Sequence, residues 1–276
     1  RLMREGIPVD WLDVFGRPIG MVLPLSATPS FLTTSRQEDF SKTASALDLA
    51  RQIVLAKINN CREVLRRRVN IPEQWHDARQ GVMQASSAAA LRGMEGLAAR
   101  LYFSQWKNLV FPFLWTGRHA FPAPDPINML LSFGYGMLHN RFVSALQAQG
   151  INARRGFFHA SRGNHCALAS DLMEDMRYAV DSVVLRLVRR RQLVPQQFKQ
   201  RGGRCVFGSK EAFSLVLESF EEMFQQQRIV YPEMGKKGIS TSLNNAIDDT
   251  AENFKRTLLS GNQYKPFRSI PWSVAS

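Results

Sequence analysis

Apolar residues recur at helical spacing through most of the chain after residue 36. Between residues 44 and 68 they lie three or four positions apart, at Ala46, Leu47, Ala50, Ile53, Val54, Ala56 and Ile58. This spacing puts them on one face of an α-helix, which predicts a helix that packs against a core. The same pattern predicts helices over about 83–110, 125–150, 166–191, 209–228 and 241–260. We therefore predict a mostly α-helical protein.

Three predicted helix ends carry local signals. Asp125 is a suitable N-cap because Pro126 follows at the first helical position. Ser209 is predicted to cap the helix that follows it, and Gly261 to end the last helix. Residues 192–208 are predicted to form a loop rich in Gln, Arg and Gly, and residues 265–276 a tail.

The first 35 residues have a different pattern. Residues 7–24 alternate β-branched and aromatic side chains with Gly and Pro, which predicts two or three short strands. A sheet this small is barely stable alone, so we expect further strands upstream of Arg1 or a partner that completes it. We predict that residues 1–35 are the end of an N-terminal β domain and that residues 36–276 form an α-helical domain.

The composition narrows the class of partner. A net charge of +13 and a pI near 10.2 favour a polyanion, nucleic acid ahead of an anionic membrane. No apolar run is long enough for a membrane span, since Arg186 interrupts the longest candidate, and no signal peptide is recognisable. Three widely spaced cysteines fit a reducing compartment and no structural zinc site.

Three carboxylates follow a histidine in a glycine-flanked loop. Asp171, Glu174 and Asp175 are spaced i, i+3, i+4, so they are expected to share a helix face after His159. Unpartnered acids on one face repel each other and persist where a metal, an arginine or a ligand's cation lies among them. The alternative is an ordinary acidic face that pairs with Arg177 or Arg155.

A separate carboxylate, Glu95, lies in a helix turn of small and apolar residues. A carboxylate in such surroundings is expected to point into the protein, where it is unfavourable unless paired or metal-bound. The alternative for Glu95 is a salt bridge to Arg100 or to a residue elsewhere.

Three motifs occur in order along the chain. They are Glu-Gly-x-x-Ala-Arg-x-Tyr-Phe at 95–103, Asp-Pro-x-Asn-x-Leu-Leu-Ser-Phe-Gly-Tyr at 125–135, and Gly-Phe-x-His at 156–159 with Asp-Leu-Met-Glu-x-x-Arg at 171–177. In this order the chain resembles the universal integrase subunit of CRISPR adaptation, which inserts new spacers. The resemblance runs from about Gly6 to about Phe198 and is weaker beyond.

The resemblance implies specific site residues. Glu95, His159 and Glu174 would be both the catalytic residues and the metal ligands. Asp171 would support ligand geometry from outside the ligand set, and Arg177 would neutralise part of the acidic turn. For Asn128 and Tyr135, which match motif positions, a structural or DNA-facing role is implied.

The implied chemistry is phosphoryl transfer. Two carboxylates and one imidazole are a mostly hard ligand set, which favours Mg²⁺ or Mn²⁺, the imidazole tilting the choice toward Mn²⁺. Such an ion polarises a phosphodiester and lowers the pKa of a bound hydroxyl. The expected reaction is attack of a protospacer DNA 3′-OH on a phosphodiester of the CRISPR repeat; with water as nucleophile the site would be an endonuclease. His159 could alternatively transfer a proton.

The resemblance also implies partners. It implies a homodimer that assembles with a small ferredoxin-like adaptation subunit, acts on double-stranded DNA without a membrane, and works in the prokaryotic cytoplasm. An N-terminal β domain would precede the α-helical catalytic domain. A fused enzyme, such as a reverse transcriptase or a nuclease, is possible upstream of Arg1.

Basic residues are expected to guide the DNA. Arg154, Arg155 and Arg162 bracket His159, and we favour phosphate contact for them over plain solvation. For Arg189–Arg191, helix capping is as good an explanation as DNA contact.

Two other functions stay open. In the first, the chain is a noncatalytic nucleic-acid-binding scaffold and its acids form salt bridges. In the second, which ranks last, it is an iron or zinc enzyme that uses His139, His159 and His165, although these histidines lack ligand-like spacing.

Overall fold

The computed structural model confirms a mostly α-helical protein. It describes residues 1–5, 7, 9–12, 18–27, 30–66, 68–119, 122–159, 163, 165–230 and 237–269. The α-helices in these ranges are α1 (Phe31–Phe40), α2 (Ala44–Arg66), α3 (Gln74–Gln84), α4 (Ala88–Ser104), α5 (Trp106–Leu109), α6 (Pro126–Ala148), α7 (Ala167–Met173), α8 (Arg177–Arg189), α9 (Lys210–Gln225) and α10 (Leu243–Ser260). None of these helices is both long and apolar enough to cross a membrane.

Short antiparallel strand pairs supplement the helices. The strands are β1 (Val9–Leu12), β2 (Pro18–Val22), β3 (Phe198–Arg201), β4 (Arg204–Phe207), β5 (Gln227–Val230) and β6 (Ile239–Ser242). They form three two-stranded sheets, β1–β2, β3–β4 and β5–β6. The first pair confirms strands near the N-terminus, whereas the assignment of residues 1–35 to a separate β domain stays a prediction.

The predicted helix ends are confirmed. The Asp125 carboxylate accepts a hydrogen bond from Asn128 N at 2.8 Å, and α6 begins at Pro126. The Ser209 hydroxyl accepts from Ala212 N at 3.2 Å and starts α9. Gly261 ends α10 with φ of 66°, a left-handed conformation that glycine adopts without steric cost.

Two long predicted helices prove to be interrupted. The helix predicted over 83–110 is divided into the end of α3, α4 and α5, because the Ser87 hydroxyl accepts from Ala90 N and starts a new helix. The helix predicted over 166–191 contains a 3-10 turn at Glu174–Met176 between α7 and α8. Both errors arise because apolar spacing continues across the breaks.

Two segments predicted to be irregular are ordered. Residues 198–207, predicted as part of a loop, form the β3–β4 hairpin, since Gly202 and Gly203 take the positive φ values of 56° and 73° that a tight hairpin turn requires. The predicted tail after residue 265 is not free at its start, because Phe267 is only 7% exposed. Its amide N–H donates to the Asp175 carboxylate at 2.7 Å.

The chain forms two compact units. The first comprises residues 1–56, 136–175 and 227–276 and contains a triad of packed rings, Phe40, Phe157 and Phe254, with centroids 5.8–5.9 Å apart. The second comprises residues 57–135 and 176–226 and is built around a chain of buried aromatic side chains: Trp75, Tyr102, Trp106 and Trp115.

Candidate metal centre

One buried carboxylate organises the loop that carries His159. Asp171 on α7 is 1% exposed, and its Oδ2 accepts hydrogen bonds from Phe157 N at 2.7 Å and Phe158 N at 3.0 Å. Its Oδ1 accepts from His159 N at 2.8 Å and contacts His159 Nδ1 at 2.7 Å. Three consecutive backbone amides and the imidazole thus converge on one side chain, which fits the supporting role expected of Asp171.

This contact assigns the imidazole tautomer. A carboxylate can only accept, so His159 Nδ1 carries the proton and Nε2 carries the lone pair that a metal or a proton would use. The close packing also explains Gly156. A Cβ there would lie 2.8 Å from Asp171 Oδ2 and 2.9 Å from the Ala167 Cβ, closer than a side chain tolerates.

Glu95 is paired with a lysine that the sequence analysis missed. Lys57 Nζ on α2 lies 2.5 Å from Glu95 Oε1 on α4, and the two side chains are 17% and 12% exposed. The salt bridge left open for Glu95 therefore exists, but its partner is Lys57 rather than Arg100. The sequence did contain a signal that Lys57 is largely buried and needs a partner, because it is the one cation in the apolar run 53–58 of α2.

The two aspartates of the predicted acidic turn have different hydrogen-bond partners. Asp171 binds the 157–159 loop, whereas Asp175, which is fully buried, accepts from Phe267 N. Burial raises the pKa of Asp175 well above its ordinary value. The two aspartates thus satisfy backbone amides of different segments, and a 3-10 turn begins at Glu174 between them.

Glu95, His159 and Glu174 come together. One ligand atom from each residue lies within 4.8 Å of those of the other two, and Glu174 is 3% exposed. In an octahedral site with bonds of about 2.1 Å, ligand atoms are about 3.0 Å apart when adjacent and about 4.2 Å when opposite. The ligand atoms are thus gathered within 4.8 Å of one another, a little above the largest of these separations, and the two carboxylates and the imidazole are donors that suit a hard divalent cation.

The alternative histidine site is not formed. In the part of the chain that the structure describes, this Glu/His/Glu group is the one set of three or more His, Cys, Asp or Glu side chains with metal-ligand spacing. His139 and His165 instead stack on each other, with ring centroids 5.6 Å apart. The iron or zinc hypothesis therefore has no support in the described residues.

Arg177 lies beside a buried network that the sequence analysis did not identify. Its guanidinium carbon is 4.0 Å from the centroid of the Tyr135 ring. The Tyr135 and Tyr102 hydroxyls donate to Asp181 at 2.5 Å and 2.9 Å. Burial raises the pKa of Asp181 to about 6, and the charge of Arg177 opposes that rise. The expected action of Arg177 on the acidic turn stays a prediction.

Asn128 has a structural role. It is fully buried, its amide oxygen accepts from Arg118 and from His119 N, and its amide nitrogen donates to Gly117 O and Asp125. These four hydrogen bonds fix the segment 117–119 against the start of α6.

The three arginines predicted to contact DNA have different positions. Arg154 is exposed, and its side chain hydrogen-bonds the Cys166 thiol. Arg155 forms an ion pair with Glu38 and is 45% exposed. Arg162 lies outside the described residues. Their contact with DNA stays a prediction.

The strong basic charge favours a protein that binds nucleic acid, and the Glu/His/Glu group could hold a metal ion. The family model described as CRISPR associated protein Cas1 matches residues 1–222. The chain belongs to this family.

Similar proteins agree with this assignment. A relative named CRISPR-associated endonuclease Cas1 1, from Thermus thermophilus, is 32% identical and is matched over 96% of this chain and 82% of its own length. A structure titled partial Cas6-RT-Cas1–Cas2 complex has a TM-score of 0.78 at 25% identity, covering 98% of this chain and 83% of that one.

A casposase bound to an integration product also has a TM-score of 0.78. Its identity is 20%, over 96% of this chain and 79% of that one, and it shows a shared fold.

Proposed function

We propose that this chain is a metal-dependent DNA integrase and endonuclease of CRISPR adaptation. The reaction is attack of a protospacer DNA 3′-OH on a phosphodiester of the CRISPR repeat, with hydrolysis when water is the nucleophile. The observation that carries the proposal is the convergence of Glu95, His159 and Glu174 in a strongly basic chain of this family.

Each residue of the candidate site has its own role in this proposal. Glu95, His159 through Nε2, and Glu174 would hold Mg²⁺ or Mn²⁺. When bound, such an ion supplies charge stabilisation to a phosphodiester and makes a bound hydroxyl more acidic. Asp171 keeps the His159 ring in one orientation and one tautomer, which is the usual task of a carboxylate behind a histidine ligand.

Lys57 gives Glu95 a counter-charge at 2.5 Å, which stabilises its carboxylate in a largely buried position. The donor set is thus held in place by contacts to the protein itself: Glu95 by Lys57 and His159 by Asp171. Catalysis by such a site is mainly positioning and electrostatics.

The proposed partners of the chain rest on its membership of this family. We propose double-stranded DNA as substrate, a homodimer, and assembly with a small ferredoxin-like subunit, in keeping with a relative of similar fold in a complex with Cas2. Residues 1–35 would be the end of an N-terminal β domain and residues 36–276 the catalytic domain. Arg154, Arg155 and Arg162 would contact phosphates beside His159.

The test is disintegration of a branched DNA with Mn²⁺ present. Glu95→Ala, His159→Ala and Glu174→Ala should each abolish turnover and leave DNA binding largely intact. Glu211→Ala and His76→Ala remove the same residue types from exposed positions and should retain activity. Full activity in any of the first three variants would refute the site. Mn²⁺ binding that none of them weakens would instead favour a noncatalytic scaffold.

A further inference from the structure

The β3–β4 hairpin has two chemically different faces. Its register pairs Phe198 with Phe207, Gln200 with Cys205, and Arg201 with Arg204. Because side chains alternate along a strand and direct partners share a face, the two phenylalanines lie on one face with Gln200 and Cys205. The opposite face carries three cations, Lys199, Arg201 and Arg204.

The aromatic face anchors the hairpin. The Phe198 ring packs 5.8 Å from Phe113 and 5.8 Å from Phe207, which in turn lies 5.4 Å from Phe213. Cys205 N donates to Ala123 O at 3.0 Å. The hairpin is therefore attached along one face, and its register is held by the tight Gly202–Gly203 turn.

The opposite face presents uncompensated charge. Lys199, Arg201 and Arg204 are exposed, and within the described residues none of the three forms an ion pair. Arg201 and Arg204 stand directly across from each other next to the turn. Like charges directly opposite each other destabilise a hairpin. A bound anion would remove this repulsion.

We propose that the cationic face of the β3–β4 hairpin binds the phosphodiester backbone of duplex DNA. The inference rests on the proposed function, because it assigns a second contact to the same substrate. An attached ribbon with three cations on one face suits a regular array of phosphates, and such contacts orient a duplex without reading its sequence.

The salt dependence of DNA binding tests this. The equilibrium constant for a 30-bp duplex is measured by fluorescence anisotropy at several salt concentrations, in EDTA, so that metal plays no part. Arg201→Ala with Arg204→Ala should lower the salt slope by about 1.8, since each lost phosphate contact contributes about 0.9. At 0.1 M salt this corresponds to a loss of affinity on the order of 50-fold.

Two controls keep the result specific. Arg36→Ala with Lys42→Ala removes the same charge from exposed positions in and beside α1 and should change the slope by much less. Arg201→Lys with Arg204→Lys keeps the charge and should keep most of the slope. Circular dichroism establishes that each variant is folded.

The results of the salt-dependence experiment can be distinguished from a failure of the proposed function. An unchanged slope in the hairpin variant, or an equal change in the α1 control, would overturn the hairpin assignment. If the slope is unchanged and the hairpin variant also loses binding to phosphatidylserine vesicles, the face would be assigned to a membrane instead. Failure of the metal site would appear only in the Glu95, His159 and Glu174 variants.

Discussion

Removing the Asp171 carboxylate should damage both folding and metal binding. Asp171→Ala deprives three backbone amides and one imidazole of their common acceptor. An acceptor lost from a buried N–H group costs about 1–3 kcal/mol. Phe158 is buried and should be at the high end, whereas Phe157 and His159 are partly accessible to water and should be at the low end. For the three amides alone, the sum is about 3–5 kcal/mol.

The same change should weaken the metal ligand. Without Asp171 nothing at Nδ1 fixes the His159 tautomer or ring orientation, and loss of such a partner typically lowers metal affinity 10- to 100-fold. Asp171→Asn keeps one oxygen but sets an NH2 group against donors, so its effect should be intermediate.

Two measurements check the Asp171 prediction. Urea denaturation gives the change in the free energy of unfolding, and Mn²⁺ titration followed by electron paramagnetic resonance gives the dissociation constant at a temperature where each variant is folded. Asp39→Ala, at an exposed position on α1, is the matched control. A destabilisation of Asp171→Ala below about 1 kcal/mol together with unchanged Mn²⁺ affinity would refute the reasoning.

Three further perturbations follow from the geometry. Gly156→Ala should push the loop away from Asp171 Oδ2 and lower Mn²⁺ affinity, whereas Gly136→Ala, at an open helical position, should not; equal affinities would contradict the steric argument. Lys57→Ala removes the contact that holds Glu95 in place, so Mn²⁺ should bind on the order of fivefold more weakly in the same titration; tighter binding would contradict this role and would argue that Lys57 competes with the metal for Glu95 Oε1. Burial raises the pKa of Asp181 from 3.8 to about 6, so the native state keeps a proton that the unfolded chain releases in that window. Relative to Asp181→Asn, the wild-type free energy of unfolding should therefore fall by up to about 3 kcal/mol as pH rises from about 4 to about 6, and a flat difference in denaturation curves would oppose this.

Local signals in the sequence predicted much of the fold. Asp125, Ser209 and Gly261 mark helix ends because capping depends on one residue and its near neighbours. The break between α3 and α4 was missed because the apolar spacing runs through Ser87. The β3–β4 hairpin was missed because its Gly-Gly turn sits among polar residues that resemble a loop.

The sequence predicted the residues of the candidate site, but it did not predict the partners of its carboxylates. Family motifs marked Glu95, His159 and Glu174, and the fold brings them together. Lys57 could not be assigned as the partner of Glu95, since 38 residues separate them and the contact forms only in the folded chain. Asp175 was grouped with the acidic turn because spacing alone does not reveal that its partner, Phe267, lies 92 residues away.

The central claim is that Glu95, His159 and Glu174 hold one catalytic divalent cation. Anomalous diffraction from crystals soaked in Mn²⁺ tests it most directly. The account predicts one strong peak with a carboxylate oxygen of Glu95, Nε2 of His159 and a carboxylate oxygen of Glu174 at about 2.1 Å, and no such peak in Glu174→Ala. A peak bound by other residues, or none at saturating Mn²⁺, would contradict the account.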